Sequence, residues 1–99
     1  MTINKTRDGN TMTVTLDGRL DTTTAPQLER ELRSSVDGLT ELIFDLEKLE
    51  YVSSAGLRVL LAAQKVMNKQ GEMVVQNTNR EIMDIFEVTG FVDILNIKE

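Results

Sequence analysis

The stretch Tyr51-Val52-Ser53-Ser54-Ala55-Gly56-Leu57 sets two hydroxyls and a glycine where a loop turns into the most apolar helical pattern of the chain. A serine at a helix start accepts from the N2 or N3 amide, an effect of about 1 kcal/mol, so either serine alone needs no role beyond capping. Gly56 is harder to explain. In a first helical turn glycine costs about 1 kcal/mol relative to alanine, offset either by close approach of other backbone or by open access to neighbouring side chains. Open access would suit a modified hydroxyl. A phosphate there would add about −1.5 to −2 charges at neutral pH, and the free amides and dipole of a helix N-terminus would tolerate it. The fold would stand while the surface it presents changed.

Asp21-Thr22-Thr23-Thr24 is the second polar group, and its first reading is structural. An Asp followed by threonines between a strand and a helix makes a turn, and Thr24 with Gln27 has the spacing of a capping box, with Pro26 in the first turn. Glu41, Asp45, Glu47 and Glu50 gather near one strand and read as a solvated rim, not as an acid–base pair or a metal site.

The absences narrow the chemistry further. With no His and no Cys in 99 residues, Ser–His and Cys–His catalysis, thiolate zinc, iron–sulfur clusters and most imidazole-ligated metals are excluded. The chain therefore reads as a non-enzyme with no cofactor and no metal. Eleven Lys and Arg against 16 Asp and Glu give a net charge of −5, which offers no electrostatic footprint for nucleic acid or an anionic membrane. Met1 to Asn10 has no apolar signal region, and no apolar run approaches the roughly 18 residues of a membrane span, so no membrane insertion and a cytoplasmic location are expected.

The elements that must hold these groups follow from periodicity. A length of 99 residues suits one domain, 1–99. Thr11 to Leu16 alternates polar and apolar, predicting a strand with one wet face; Asp8-Gly9-Asn10 predicts a turn back to an edge strand over Thr2 to Arg7. Gly18 reads as a turn or bulge glycine. Ala25, Leu28, Leu32 and Val36 form one stripe of a helix that Gly38 should stop. Leu42, Ile43, Phe44 and Leu46 predict a strand covered by helices on both faces.

A broad apolar face over Ser54 to Gln70 predicts the longest helix, ended by Gly71. Met73-Val74-Val75 predicts a strand, Thr78-Asn79-Arg80-Glu81 a capping box opening a short helix before Gly90, and Phe91 to Ile97 a last strand. Met67, Met73 and Met83 fall at core spacings. The order β-β-α-β-α-β-α-β implies an α/β fold with a mixed sheet of four to five strands and helices packed against it.

Tyr51 to Leu61, with Leu16-Asp17-Gly18-Arg19-Leu20-Asp21 upstream, resembles the STAS domain of bacterial anti-sigma factor antagonists, and the element order, Gly71 to Val75 and the segment around Phe91 extend the resemblance over nearly the whole chain. The resemblance implies a partner switch. The unphosphorylated antagonist would bind an anti-sigma factor that is also a serine kinase, freeing a sigma factor. Phosphorylation of one serine would end that binding, and a serine phosphatase would restore it. By position the acceptor is Ser54, with Ser53 the second choice. The family's commonest pattern has Asp before the acceptor, where this chain has Ser53, which can cap but carries no charge. The partner surface implied comprises Asp21, Thr22, Thr23, Ser53, Ser54, Ala55, Gly56, Leu57 and Arg58. The same departure keeps a second reading open: a STAS module with no phosphoswitch, such as the small cytoplasmic subunit of an ABC-type lipid transporter or a signalling scaffold.

Overall fold

Met12, Val14 and Leu16 alternate with Thr11, Thr13 and Thr15, and the computed structural model, which describes residues 1–98, turns that alternation into the central strand of the molecule. β1 (Thr2–Asp8) folds back on β2 (Thr11–Leu20) as an antiparallel hairpin through Gly9, whose φ of 63° demands glycine or a strained residue. Then follow α1 (Ala25–Arg33), β3 (Glu41–Asp45), β4 (Leu49–Val52), α2 (Ser54–Gln70), β5 (Glu72–Gln76) and α3 (Arg80–Thr89), with a 3-10 turn over Phe91–Asp93.

The sheet runs β1-β2-β3-β5, with β3 parallel to β2 and β5 parallel to β3. β4 also lies parallel to β2, pairing Gly18 to Leu20 where β3 pairs Thr11 to Thr15. One strand thus carries both partners in succession. The register shifts between Gly18 and Arg19, so Gly18 (φ 115°) is a bulge glycine. The β2 face of Met12, Val14, Leu16 and Leu20 continues through Leu42 and Phe44 to Met73 and Val75, and all three helices bury apolar side chains in the same cluster.

Several expectations need correction. β4 carries no strand pattern in the sequence: Leu49 to Val52 is four residues long with a Glu inside it, and only Leu49 and Val52 are buried. The last strand expected over Phe91 to Ile97 is instead the 3-10 turn and one bridge between Val75 and Ile97. Five strands still form, with β4 in place of the terminal one. β3 is not covered on both faces: Leu42 and Phe44 are buried, whereas Ile43 on the opposite face is half-buried beside Thr13 and Val74.

Helix α1 ends at Arg33, well before Gly38, because the Ser34 hydroxyl donates to the Glu31 carbonyl and the chain tightens over Leu32. Val36 therefore packs on the core from a loop. Met83 is half-buried, unlike Met67 and Met73. Gly71 ends α2 as expected; a β-carbon there would collide with the Thr40 carbonyl, which accepts from the Glu72 amide at 3.0 Å.

Candidate partner-binding site

The site is assembled by the parallel pairing of β2 with β4. Leu20 pairs Val52, and the Ser53 amide donates to the Leu20 carbonyl at 2.8 Å, so Asp21 and Ser53 leave the sheet side by side. The first residues of the Asp21 loop and of α2 are neighbours because two strands end together.

Ser53 is the N-cap of α2, in extended backbone, and its Oγ accepts from the Gly56 amide at 3.3 Å. Ser54, the first helical residue, is exposed. The two hydroxyls thus differ in what they are free to do: one is half-buried and committed to the helix start, and the other faces water.

Gly56 is buried, contrary to the open access its position suggested. A β-carbon there would lie 2.7 Å from Leu20 Cγ and 2.9 Å from Val52 Cγ2. The glycine lets the first turn of α2 settle onto the ends of β2 and β4. Leu57 is likewise buried, at 6% exposure. Gly56 and Leu57 are thus buried under the expected partner surface. Thr22, Ala55 and Arg58, by contrast, share one depression of about 400 Å³ with Pro26 and Glu29.

The loop after β2 is closed by its own hydrogen bonds. Asp21 Oδ1 accepts from the Thr23 hydroxyl at 2.7 Å, the Thr23 amide at 3.0 Å and the Thr24 amide at 3.2 Å. The Thr23 hydroxyl is the chief reason the carboxyl is held below its ordinary 3.8; desolvation opposes it, and the two amides reinforce it. Asp21 is the turn residue its sequence context suggested, standing next to the Ser53 backbone.

Thr24 occupies the N-cap position of α1 but forms no capping box. Its hydroxyl accepts from the Asp21 amide at 2.8 Å and donates to the Arg19 carbonyl at 2.7 Å, so it points back at the β2 end and makes no bond to the helix amides. Arg19, not singled out by sequence, lies with its guanidinium 4.4 Å from the centroid of the Tyr51 ring across the β2–β4 pair. Its signal was the strand pairing itself, which no local pattern carries.

The acidic rim is absorbed structurally where contacts exist. Asp45 accepts from the Glu47 amide and from Asn77 Nδ2, and Glu41 from Thr11. The cap of α3 is Asn79, not Thr78: Asn79 Oδ1 accepts from the Ile82 amide at 2.9 Å while its Nδ2 donates to the Leu49 carbonyl at 2.8 Å. That second bond ties α3 to β4, the strand that leads into Ser53.

A mixed sheet with helices on its buried face, and a loop edge where Ser54 stands exposed with Thr22 and Thr23 beside a closed Asp turn, define a small α/β domain. The chain belongs to the STAS domain family, whose model matches residues 2–99. Within that family it stands with the anti-sigma factor antagonists, a group of regulatory binding proteins. BtrV of Bordetella bronchiseptica, named as an anti-sigma factor antagonist, is 40% identical over 84 residues, covering 83% of this chain and 72% of that protein. An anti-sigma-B factor antagonist of Staphylococcus aureus is 31% identical over 88 residues, covering 87% of this chain and 82% of that one. Among solved structures, the phosphorylated form of the Bacillus cell fate determinant SpoIIAA superposes with a TM-score of 0.77 at 17% identity, over 99% of this chain and 92% of that chain. That last likeness is one of fold. Among the described residues no helix is long and apolar enough to cross a membrane.

Proposed function

We propose that this chain, unphosphorylated, binds an anti-sigma factor that is also a serine kinase and so releases a sigma factor, and that phosphorylation of Ser54 ends the interaction. The kinase transfers the γ-phosphoryl group of ATP to Ser54 Oγ, the hydroxyl proton is lost and ADP leaves; a serine phosphatase hydrolyses the ester and restores binding. The observation that carries this reading is the division of labour at the start of α2, where Ser53 caps and Ser54 stands exposed. Capping by Ser53 also fills the place that an Asp takes in the family's commonest pattern, without needing its charge.

The phosphate has supports within the chain. It would sit at the N-terminal end of a helix whose first turn has no acidic residue, where the dipole favours negative charge. Arg58 lies four residues on, exposed and without an ion-pair partner among the described residues, at the spacing that brings side chains together on a helix. The phosphate would add about −2 charges at the Ser54 edge, taking the net of −5 to about −7.

The test is phosphate transfer. Incubation with ATP and a cognate anti-sigma factor serine kinase, followed by mass-spectrometric mapping, should label Ser54. Incorporation should disappear in Ser54→Ala and persist in Ser53→Ala. Labelling that survives Ser54→Ala, or is absent from the wild type, overturns the assignment.

A further inference from the structure

Helix α2 has an apolar stripe that runs out of the core towards solvent: Val59, at 7% exposure, belongs to the core, whereas Ala62 and Val66 do not. Val59, Ala62 and Val66 recur at spacings of three and four, and with Leu32 and Val36 they line a groove of about 260 Å³ between α1 and α2. Ala62 is exposed and Val66 is 39% exposed. The sheet is covered by a neighbouring stripe of the same helix, which includes Leu60 and Met67.

The rim of this groove has its own sign. α1 and α2 carry Arg30, Arg33, Arg58, Lys65 and Lys69 against only Glu29 and Glu31, which leaves +3; the rest of the chain, with six basic and fourteen acidic residues, holds −8. Helix α2 has no acidic residue at all. Arg58, Lys65 and Lys69 are exposed and form no ion pair among the described residues, and with Ala62 they follow one line down the helix beside the apolar stripe. Within the groove Glu29 and Arg33 pair with each other at 3.0 Å, so the unpaired positive charge lies on the exposed line of α2 that flanks it. The groove also runs into the depression at the Ser54 edge, since Glu29 and Val59 line both.

We propose that the α1–α2 groove docks an acidic amphipathic helix of a protein partner. The partner's apolar stripe would lie on the exposed Ala62 and Val66, above the buried Val59, and its carboxylates would face Arg58, Lys65 and Lys69. Apolar anchors at helical spacing in a groove supply the affinity of such contacts, and the complementary charge supplies orientation and encounter rate. This goes beyond the phosphoswitch and does not depend on it: Val66 lies about 18 Å along the helix from Ser54.

The test titrates the full ¹⁵N-labelled chain with a synthetic amphipathic helix of about five turns, bearing Leu on one face and Glu on the other, and with its Lys counterpart. The Glu peptide should shift the amides of Leu32, Ala62 and Val66, and the Lys peptide should not bind. Affinity should fall about tenfold or more in Val66→Asp and in the double variant Lys65→Glu/Lys69→Glu, whose remaining spectra report an intact fold. Equal binding of both peptides, shifts centred elsewhere, or none at peptide concentrations on the order of millimolar would overturn the proposal. So would self-association in which α3, with Glu81, Asp84, Glu87 and the exposed Val88, shifts together with the groove; the occupant would then be a second copy.

Discussion

Leu20 and Gly56 meet so closely that a β-carbon on Gly56 would stand 2.7 Å from Leu20 Cγ. Leu20 is the last residue of β2 and is fully buried, while Gly56 lies in the first turn of α2. Their contact sets the depth at which α2 begins over the sheet. Because Ser54 opens that turn, the same contact sets where its hydroxyl meets solvent.

Gly56→Ala should therefore destabilise the fold although alanine is the better helix former. Overpacking of this kind costs about 1–3 kcal/mol against a propensity gain of about 1 kcal/mol. Urea denaturation measures the balance. An Ala variant as stable as wild type would mean that Leu20 and Val52 yield easily and that the contact does not set the helix position.

The two serines should separate by stability. Ser53→Ala removes the bond from the Gly56 amide and should cost about 1 kcal/mol, whereas Ser54→Ala changes an exposed hydroxyl and should stay within about 0.5 kcal/mol of wild type. Equal losses in the two variants would contradict the division between cap and free hydroxyl.

Ser54→Asp should weaken binding to the anti-sigma factor while leaving the thermal midpoint close to wild type, because a carboxylate in the first turn is favoured by the helix dipole. Calorimetric titration and a thermal melt read the two effects separately. Binding as tight as wild type would rule out an electrostatic switch at this position.

Asp21 makes a pH-dependent contribution with a defined sign. Its folded carboxyl titrates below the ordinary 3.8 because the Thr23 hydroxyl and the Thr23 and Thr24 amides hold the charged form. The contribution is complete above the unfolded value and is lost as pH falls through the lowered folded value. Wild type should thus exceed Asp21→Ala in stability at neutral pH, and the gap should close well below pH 3.8. A gap that widens in acid would reverse the assignment.

Asn79 serves two elements, so its variants should be graded. Asn79→Asp can keep the bond from the Ile82 amide but loses the donor to the Leu49 carbonyl; Asn79→Ala loses both. Denaturation should rank wild type above Asp and Asp above Ala, with Ala costing about 1–2 kcal/mol. Equal stability of Asp and Ala would show that the cap contributes nothing.

Local patterns carried much of this molecule. The alternation from Thr11 to Leu16, the helical span Ser54 to Gln70 and the turn at Gly9 are each written in neighbouring residues, and each is realised in the fold. Local spacing misleads where a distant partner competes. Thr24 has the spacing of a capping box, but the carbonyl of Arg19 and the amide of Asp21 occupy its hydroxyl. Leu49 to Val52 is too short and too polar to announce a strand, and it becomes one because the second half of β2 lacks a partner once β3 has ended.

The sequence by itself narrowed the chemistry, since a chain without His or Cys has no imidazole or thiol to offer and an acidic balance disfavours polyanions. It also determined the position of the hydroxyl pair, because capping preference and helical period are local properties. Only the tertiary structure decided which serine is free, why Gly56 is glycine, and that Gly56 and Leu57 lie beneath the surface. Those outcomes depend on Leu20 and Val52, brought under α2 by strand pairing that joins residues more than thirty positions apart. No helical or strand periodicity encodes a contact of that separation.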